Sequence, residues 1–269
     1  MKTVKEEIEL LPISLKIKPP KVNFVELSIN EKDRAEIIPL GDIHAGYPTF
    51  DQAKFEETIE VCLAEKIYVI GMGDYIDLST KVSPGHSIFE QWSPNKQIDY
   101  ILNWYGKLAK ENLLLGLLEG NHELRLTKIC GVDITKYFAQ MLGTKYFGWA
   151  MFHDFKVGKE HYVLYTVHGA SGARLVYTKL KSILDLFKFV NVEIICMGHL
   201  HEKDTLTSLY YEIDRRNKTV LERKRYAVLT GHFLKYPGSY AEEMNLPPSK
   251  TGVAKIRLEA SEHKITVSI

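Results

Sequence analysis

The stretch AEIIPLGDIHAG, residues 35–46, sets an apolar run directly before a group of polar residues. The run 35–40 has the length and the branched side chains of a buried β-strand, and Gly41 and Asp42 end it. The same order, an apolar run followed closely by a glycine, returns at 67–70, 113–118, 162–167 and 192–197. These five runs predict five strands that are buried on both faces, as in a parallel or mixed sheet.

Helical spacing separates several of these runs. Asp51 is a candidate cap for a helix with an apolar face at Phe55, Ile59 and Leu63. Residues 98–108 and 180–187 keep a similar spacing of apolar side chains. Strands that alternate with helices predict an α/β fold.

The pattern changes after about residue 205. Residues 206–213 and 219–229 flank the polar turn 214–218 and predict a β-hairpin, and 252–258 with 264–269 predict a second one. This β-rich third favours a sheet-on-sheet sandwich flanked by helices. With no linker in sight, we expect one domain over 1–269, with an N-terminal extension at 1–30 and 205–269 as its β-rich C-terminal part.

Composition narrows the class of protein. The chain has 269 residues, of which 45% are apolar and 26% charged, and 35 basic residues oppose 34 acidic ones. These values exclude a disordered, collagenous or coiled-coil chain, and a net charge of +1 gives no global attraction to nucleic acid or anionic membranes. The three cysteines form no CxxC pair, which argues against a disulfide framework or a thiolate zinc site. Without an apolar signal segment or a long apolar span, the expected location is cytoplasmic.

Polar residues of metal-binding type follow each predicted strand. Strand ends meet at one edge of an α/β sheet, where such folds bind ligands. The residues there are Asp42 and His44 in GDIHAG, Asp74 and Asp77 in GMGDYID, Asn121 and His122 in GNHE, His168 in VHG, and His199 and His201 in GHLH. Each motif alone is compatible with an ordinary turn or helix cap, but the five together predict a metal site. Carboxylates, an amide and imidazoles suit Mn²⁺, Fe²⁺, Ni²⁺ or Zn²⁺.

In this order the five motifs resemble those of the calcineurin-like metallophosphoesterases. The resemblance runs from Asp42 to His201 and implies a four-layer α-β-β-α sandwich of two mixed sheets with a dinuclear metal centre between them. It implies two divalent ions, with Mn²⁺ expected and Fe, Ni or Zn as alternatives. By the same resemblance Asp42, His44 and His201 hold the first ion, Asn121, His168 and His199 hold the second, and Asp74 bridges both.

The resemblance also implies a reaction. A metal-bridging hydroxide attacks the phosphorus of a phosphodiester or phosphomonoester, which makes the chain a hydrolase acting on phosphoric ester bonds. His122 faces the phosphate, stabilises the charge that develops on it and protonates the leaving oxygen. Asp77 either orients His122 or caps a helix.

The substrate is less defined by the sequence. Asp77-Leu78-Ser79 replaces the Asp-Arg-Gly of the protein serine/threonine phosphatases, and His122 argues against the lipid A pathway hydrolases. The segment 231–258 is similar to small stand-alone phosphoesterases of phages and mobile elements. The alternative is a nuclease or nucleic-acid end-processing enzyme acting on DNA or RNA. A non-catalytic scaffold on the same fold is the third hypothesis.

Several residues are candidates for contact with the substrate. Arg125, His232 and Tyr240 are the predicted substrate-binding residues, and Arg174, His86 and Lys235 are further candidates. Residues 79–92 are either a lid over the site or a surface connection. The basic cluster Arg215, Arg216, Lys218, Arg223, Lys224 and Arg225 is either a nucleic-acid contact or a solvated sheet edge.

Overall fold

A computed structural model describes residues 21–78 and 92–269, apart from the side chain of Tyr240. The predicted His86 and the loop 79–91 lie outside the described residues, as do residues 1–20 of the predicted extension. No helix within the described ranges is both long and apolar enough to cross a membrane.

The first sheet has six strands in the order β13-β12-β2-β3-β4-β5. Its strands are β2 (Arg34–Leu40), β3 (Tyr68–Gly71), β4 (Leu114–Leu118), β5 (Tyr146–Gly148), β12 (Lys255–Glu259) and β13 (Ile265–Ser268). The strands β2 to β5 run parallel, whereas β12 is antiparallel to both β2 and β13. This sheet is therefore mixed, and the C-terminal hairpin closes one side of it.

The second sheet has seven strands in the order β1-β6-β7-β8-β10-β11, with β9 also paired to β10. Its strands are β1 (Val22–Leu27), β6 (Ala150–Val157), β7 (Glu160–Val167), β8 (Ile194–Met197), β9 (Lys203–Asp214), β10 (Thr219–His232) and β11 (Gly252–Val253). Parallel pairs at β1-β6, β7-β8 and β8-β10 adjoin antiparallel pairs at β6-β7 and β9-β10. The strand 22–27, predicted to belong to an extension, is an edge strand of this sheet.

The six described helices are α1 (Gln52–Glu65), α2 (Pro94–Lys110), α3 (Glu123–Cys130), α4 (Ile134–Met141), α5 (Val176–Leu186) and α6 (Tyr240–Glu243). The predicted helices at 51–63, 98–108 and 180–187 thus correspond to α1, α2 and α5. Asp51 precedes α1, but its side chain makes no cap hydrogen bond and instead accepts one from Thr251 Oγ1 at 2.9 Å.

Three clusters of buried apolar residues give the order of the layers. One cluster lies between the six-stranded sheet and α1 and α2, and contains Phe55, Ile59 and Tyr105. The second lies between the two sheets, with Ile70 facing Phe155 across the interior, and the third lies under α5. The result is the predicted α-β-β-α sandwich of two mixed sheets.

Candidate metal centre

The predicted ligands lie at the ends of strands from both sheets. Asp42 and His44 follow β2, Asp74 follows β3 and Asn121 follows β4, all in the six-stranded sheet, whereas His168 follows β7 and His199 and His201 follow β8 in the other sheet. Parallel strands bring their carboxyl ends to one edge, and the two sheets bring the two edges together. Residues far apart in the sequence therefore meet between the sheets.

The backbone at this edge is strained. Asp42, His44, Asp74, His199 and His201 all have positive φ values, between 47° and 66°. Left-handed backbone costs a non-glycine residue roughly 1–2 kcal/mol, so such residues persist only where the surrounding structure enforces them. Their clustering in one place, next to each other in space, marks the strand ends as a site rather than as ordinary turns.

A first group of side chains comprises Asp42, His44 and His201, whose nearest ligand atoms lie within 4.8 Å of one another. The Nε2 atoms of His44 and His201 are 3.0 Å apart, and His201 Nε2 lies 3.5 Å from Asp42 Oδ1. The backbone N–H of His199 donates to both oxygens of Asp42, at 3.0 and 2.8 Å, and holds that carboxylate in place. This is the set predicted for the first ion.

A second group comprises Asp74, His168 and His199, again within 4.8 Å of one another. Asn121 completes the set predicted for the second ion, because its Oδ1 lies 3.0 Å from His168 Nε2. Asp74 also joins a third group with His44 and His122, so it lies between the two predicted ion sites. The structure brings all seven predicted ligands together, while their role as ligands stays a prediction.

The donor set fits divalent cations. His168 Nδ1 donates to the carbonyl of Met72 at 2.7 Å, which leaves the lone pair of Nε2 facing Asp74 Oδ2 at 3.3 Å and the Asn121 oxygen. Asp74 Oδ2 is buried and has no hydrogen-bond partner among the described residues. When Nε2 is deprotonated, three acceptors face one another and need a cation between them, and imidazole with carboxylate and amide oxygen suits Mn²⁺, Fe²⁺, Ni²⁺ or Zn²⁺.

The pKa shifts of these residues reflect the charges that surround them. Burial raises the pKa of the Asp74 carboxyl, but the charges of His168 and His122 outweigh it and bring that pKa well below its usual range. Burial lowers the pKa of His168, and the carboxylates of Asp74 and Asp42 reverse this and raise it to about 10. By contrast, burial and the neighbouring His122 lower the pKa of His44 to about 4. Without a metal ion, His168 therefore carries the positive charge beside Asp74, and its Nε2 would lose that proton in order to bind an ion.

His122 lies beside this centre rather than within the two predicted ligand sets. Its Nδ1 donates to the backbone oxygen of Asp77 at 2.6 Å and lies 3.3 Å from Asp77 Oδ1. Its Nε2 lies 3.0 Å from Arg125 Nη2 and 3.9 Å from Asp74 Oδ2. Asp77 therefore contacts His122, and its predicted role in orienting His122 stays a prediction. Its Oδ1 also lies 3.4 Å from His44 Nδ1.

Glu123 is a part of the site to which the sequence analysis assigned no role. Its carboxylate is fully buried and accepts from the backbone N–H groups of Asp74 at 2.9 Å, Tyr75 at 2.8 Å and Ile76 at 3.1 Å. Burial, and then the charge of Asp74, raise the pKa of Glu123 to about 7. A glutamate in the first turn of a helix is ordinarily exposed, so its type and position alone did not indicate burial.

Gln97 of α2 likewise accepts hydrogen bonds from backbone N–H groups in the loop after β3. Its Oε1 accepts from the N–H groups of Asp77 and Leu78 at 3.1 and 3.2 Å, and its Nε2 donates to the carbonyl of Trp92 at 2.8 Å. Glu123 and Gln97 together fix the loop that carries Asp74 and Asp77.

Gly120 permits the close approach of the β4 end to this loop. A Cβ atom at Gly120 would overlap the backbone nitrogen and the carboxylate of Asp74. Only glycine fits there, which explains the residue before Asn121 in physical terms.

A cavity of about 470 Å³ opens onto the centre. Of the predicted substrate-binding residues, Arg125 and His232 line it, and so does the further candidate Arg174. Tyr240 begins α6, but its side chain lies outside the described part of the structure. Lys235 is not among the lining residues; its Nζ lies 3.3 Å from Asp51 Oδ1.

The predicted basic hairpin is formed by β9 and β10. Arg223 Nε donates to Glu212 Oε2 at 3.1 Å, and the Arg225 guanidinium lies 3.9 Å from the centre of the Tyr210 ring. Within the described ranges, no residue of the basic cluster 215–225 lines the cavity at the metal centre. Contact of this hairpin with nucleic acid stays a prediction.

Neither a family model nor a curated protein matches the chain. Solved structures with a similar fold include a conserved uncharacterized protein of Streptococcus pneumoniae described as a predicted phosphoesterase, with 13% identity, a TM-score of 0.37, and coverage of 87% of this chain and 88% of that one. Vacuolar Protein Sorting 29 from Cryptosporidium parvum has 13% identity and a TM-score of 0.40 over 87% and 97% of the two chains. A metallophosphoesterase from Sphaerobacter thermophilus has 12% identity and a TM-score of 0.39 over 86% and 87%.

Proposed function

We propose that this chain is a metal-dependent phosphoesterase that hydrolyses a phosphodiester or phosphomonoester at a two-metal centre. The observation that carries the proposal is the buried Asp74 Oδ2, which lacks a hydrogen-bond partner among the described residues and lies 3.3 to 3.9 Å from imidazole nitrogens of His168, His44 and His122. Such an oxygen is expensive to bury unless a cation accompanies it.

Two divalent ions would share Asp74 as a ligand. Asp42, His44 and His201 would hold the first, Asn121, His168 and His199 would hold the second, and Asp74 would contact both. When bound, two divalent ions supply Lewis acidity toward a phosphoryl oxygen and acidify water. Mn²⁺ is the ion we expect, with Fe, Ni and Zn as alternatives, because the set combines oxygen and imidazole ligands without a thiolate.

The protein's own groups then act on the substrate. Water adds to phosphorus, the ester P–O bond breaks, and a proton goes to the leaving oxygen. Although burial opposes it, the charge of Asp74 and the hydrogen bond to Asp77 raise the pKa of His122 above its usual value, which favours the protonated imidazole. In the structure Arg125 Nη2 donates to His122 Nε2 at 3.0 Å. On substrate binding, a phosphate oxygen beside this pair would accept from Arg125 and from a protonated His122.

The test measures metal content and turnover together. Metal-free protein is loaded separately with Mn²⁺, Fe²⁺, Ni²⁺ and Zn²⁺, the bound ions are counted, and hydrolysis of bis-p-nitrophenyl phosphate and p-nitrophenyl phosphate is followed. We expect two ions per chain and turnover with at least one metal. Asp74→Asn, which removes a charge from both sites, should lose both ions and at least 100-fold in turnover, since even outer partners of metal ligands are worth about 10–100-fold.

Asp185→Asn is the matched control. Asp185 is a partly exposed aspartate of α5 that pairs only with surface lysines among its described contacts, Lys181 and Lys188, both at 2.6 Å. The Asp185→Asn variant should retain the metal content and activity of the wild-type protein. Wild-type protein that binds no divalent ion, or an Asp74→Asn variant with normal turnover, would refute the proposed function.

The nuclease alternative requires a polymer to reach the centre. The basic hairpin is the chain's candidate contact for it, and within the described ranges that hairpin does not line the cavity. We therefore propose a small phosphoester rather than a nucleic acid as the substrate. A comparison of labelled DNA and RNA with the two chromogenic esters separates the two functions.

A further inference from the structure

The cavity continues past the metal centre into a region of different chemistry. One group of lining residues comprises predicted ligands, His122 and Arg125. A second group comes from the segment between β10 and β11, and most of its members are apolar. The apolar ones are Leu234, Tyr236, Ala241, Met244, Leu246 and Pro247.

This apolar wall is held by its own hydrogen bonds. The hydroxyl of Tyr236 donates to the carbonyl of Leu246 at 2.9 Å, and Leu246 N donates to Ala241 O at 2.9 Å. Ser239 Oγ donates to Tyr236 O at 2.7 Å, which closes the turn before α6. The wall is thus a formed surface in the folded chain, continuous with the candidate metal centre.

The two groups of lining residues point to one kind of ligand. We propose that the site takes phosphate esters whose organic group is apolar and about the size of an aromatic ring, with the phosphate at the His122 and Arg125 end and the ring against Leu246 and Tyr236. This inference rests on the proposed function, because it names the substrate class of that same centre.

The volume of the cavity and its apolar lining residues support this class of ligand over others. A volume of about 470 Å³ is within the range of roughly 300–1,000 Å³ for sites that enclose small organic ligands. A phosphate on a sugar or a short polyol would place hydroxyl groups against Met244, Leu246 and Pro247, whose side chains offer no hydrogen-bond partner. A ring-sized apolar group removes that wall from water and gains free energy in proportion to the area covered.

Two esters with one leaving group test the proposal. Methyl p-nitrophenyl phosphate and phenyl p-nitrophenyl phosphate release the same p-nitrophenolate and differ only in the second ester group. We expect kcat/KM to be about 10-fold or more higher for the phenyl ester, a ratio of the size that one well-filled apolar pocket provides. Leu246→Ala should lower this ratio toward one, and Leu246→Met, which conserves volume, should keep most of it.

Leu209→Ala is the matched control, because Leu209 is an exposed leucine of β9 (55% exposed) that is not among the cavity-lining residues. It should leave the phenyl-to-methyl ratio unchanged. Equal kcat/KM values for the two esters in the wild-type protein, or a ratio that Leu246→Ala leaves intact, would overturn the inference while the proposed hydrolysis stands.

A binding measurement separates this failure from failure of the proposed function. Calorimetry of the metal-loaded protein with phenylphosphonate and methylphosphonate needs no turnover. Tighter binding of phenylphosphonate, by about 10-fold, supports the apolar subsite even if no ester is hydrolysed. Equal affinities for the two phosphonates overturn it even if both esters are hydrolysed.

Discussion

His122 lies where two carboxylates and a guanidinium meet, and its surroundings define what it can do. Asp77 accepts a hydrogen bond from Nδ1, while Nε2 lies near Arg125 and Asp74. The imidazole is therefore oriented by the backbone oxygen of Asp77 and placed at the cavity by its other contacts. A proton held there is available to an oxygen leaving the phosphorus.

His122→Ala tests this at the level of one side chain. We expect both ions to be retained, because neither predicted ligand set includes His122, and kcat to fall about 10²–10⁴-fold, the usual contribution of a general acid. The loss should be larger for an alkyl ester than for a p-nitrophenyl ester, since p-nitrophenolate leaves without help from a proton. Steady-state kinetics on both esters and metal counting provide the measurement.

The control for this variant is His161→Ala, an exposed histidine of β7. It should match the wild-type protein with either ester. A loss in His122→Ala that is equal for good and poor leaving groups would assign His122 to charge stabilisation only. Loss of the metals would place it among the ligands.

Ligand types could be predicted from the sequence because the motifs put them directly after apolar runs. Their backbone conformation could not. Nothing in the letters of GDIHAG or GHLH indicates that Asp42, His44, His199 and His201 adopt positive φ, a conformation imposed by partners from other strands. The hydrogen bond from His199 N–H to Asp42, across 157 positions of the sequence, is such a partner.

At the scale of elements, strongly periodic or fully apolar segments were predicted well, and short or half-exposed ones were not. The runs 35–40 and 113–118 correspond to β2 and β4 within one residue. The helices α3 and α4 and the strand β5 were not predicted, since eight or three residues carry too little periodicity to stand out. The burial of Glu123 at the start of α3 could not be predicted either, because a glutamate in the first turn of a helix is ordinarily exposed.

Glu123→Gln tests the connection between α3 and the loop that carries Asp74. Three backbone N–H groups donate to this carboxylate, and an amide that presents one NH₂ group cannot accept from all of them. We expect the free energy of unfolding to fall by about 1–3 kcal/mol, the cost of leaving buried donors unpaired. Metal affinity should fall as well, because Asp74 loses its fixed position. Urea denaturation and metal titration measure the two effects.

Glu212→Gln is the comparison for this variant. Glu212 is an exposed residue of β9 that accepts from Arg223, and exposed ion pairs contribute only about 0–1 kcal/mol. Stability of Glu123→Gln within that same range, with unchanged metal affinity, would show that the three hydrogen bonds do not hold the loop.

At the scale of the whole molecule, the layered architecture could be predicted from the sequence, but the order of strands within each sheet could not. Pairings such as β1 with β6 join residues about 130 positions apart, and no local pattern indicates which strands become neighbours. The sandwich architecture was implied by the resemblance of the five motifs. A site whose residues come from both sheets requires that the two sheets face one another.

His153 joins three strands of the seven-stranded sheet and gives the fold a dependence on pH. It is fully buried in β6; its Nδ1 lies 3.2 Å from Asn23 Nδ2 of β1 and its Nε2 lies 2.8 Å from Thr166 Oγ1 of β7. Burial, and then the nearby charge of Lys145, lower the pKa of His153 to about 3 from a usual 6.5. The folded protein therefore holds this imidazole neutral where the unfolded chain would protonate it.

The consequence is a loss of stability in acid. Between about pH 6.5 and pH 3 the unfolded state binds the extra proton, so the free energy of unfolding falls as the pH falls, with a slope for this group of up to about 1.4 kcal/mol per pH unit. His153→Gln keeps an amide able to hydrogen-bond with Asn23 and Thr166 but has no titration. We expect it to be less stable than the wild-type protein at pH 7.5 and to lose that disadvantage progressively toward pH 4.5. Urea denaturation across this range, in chelator throughout so that metal binding contributes nothing, measures the difference, and two curves that stay parallel would show that His153 titrates alike in the folded and unfolded states.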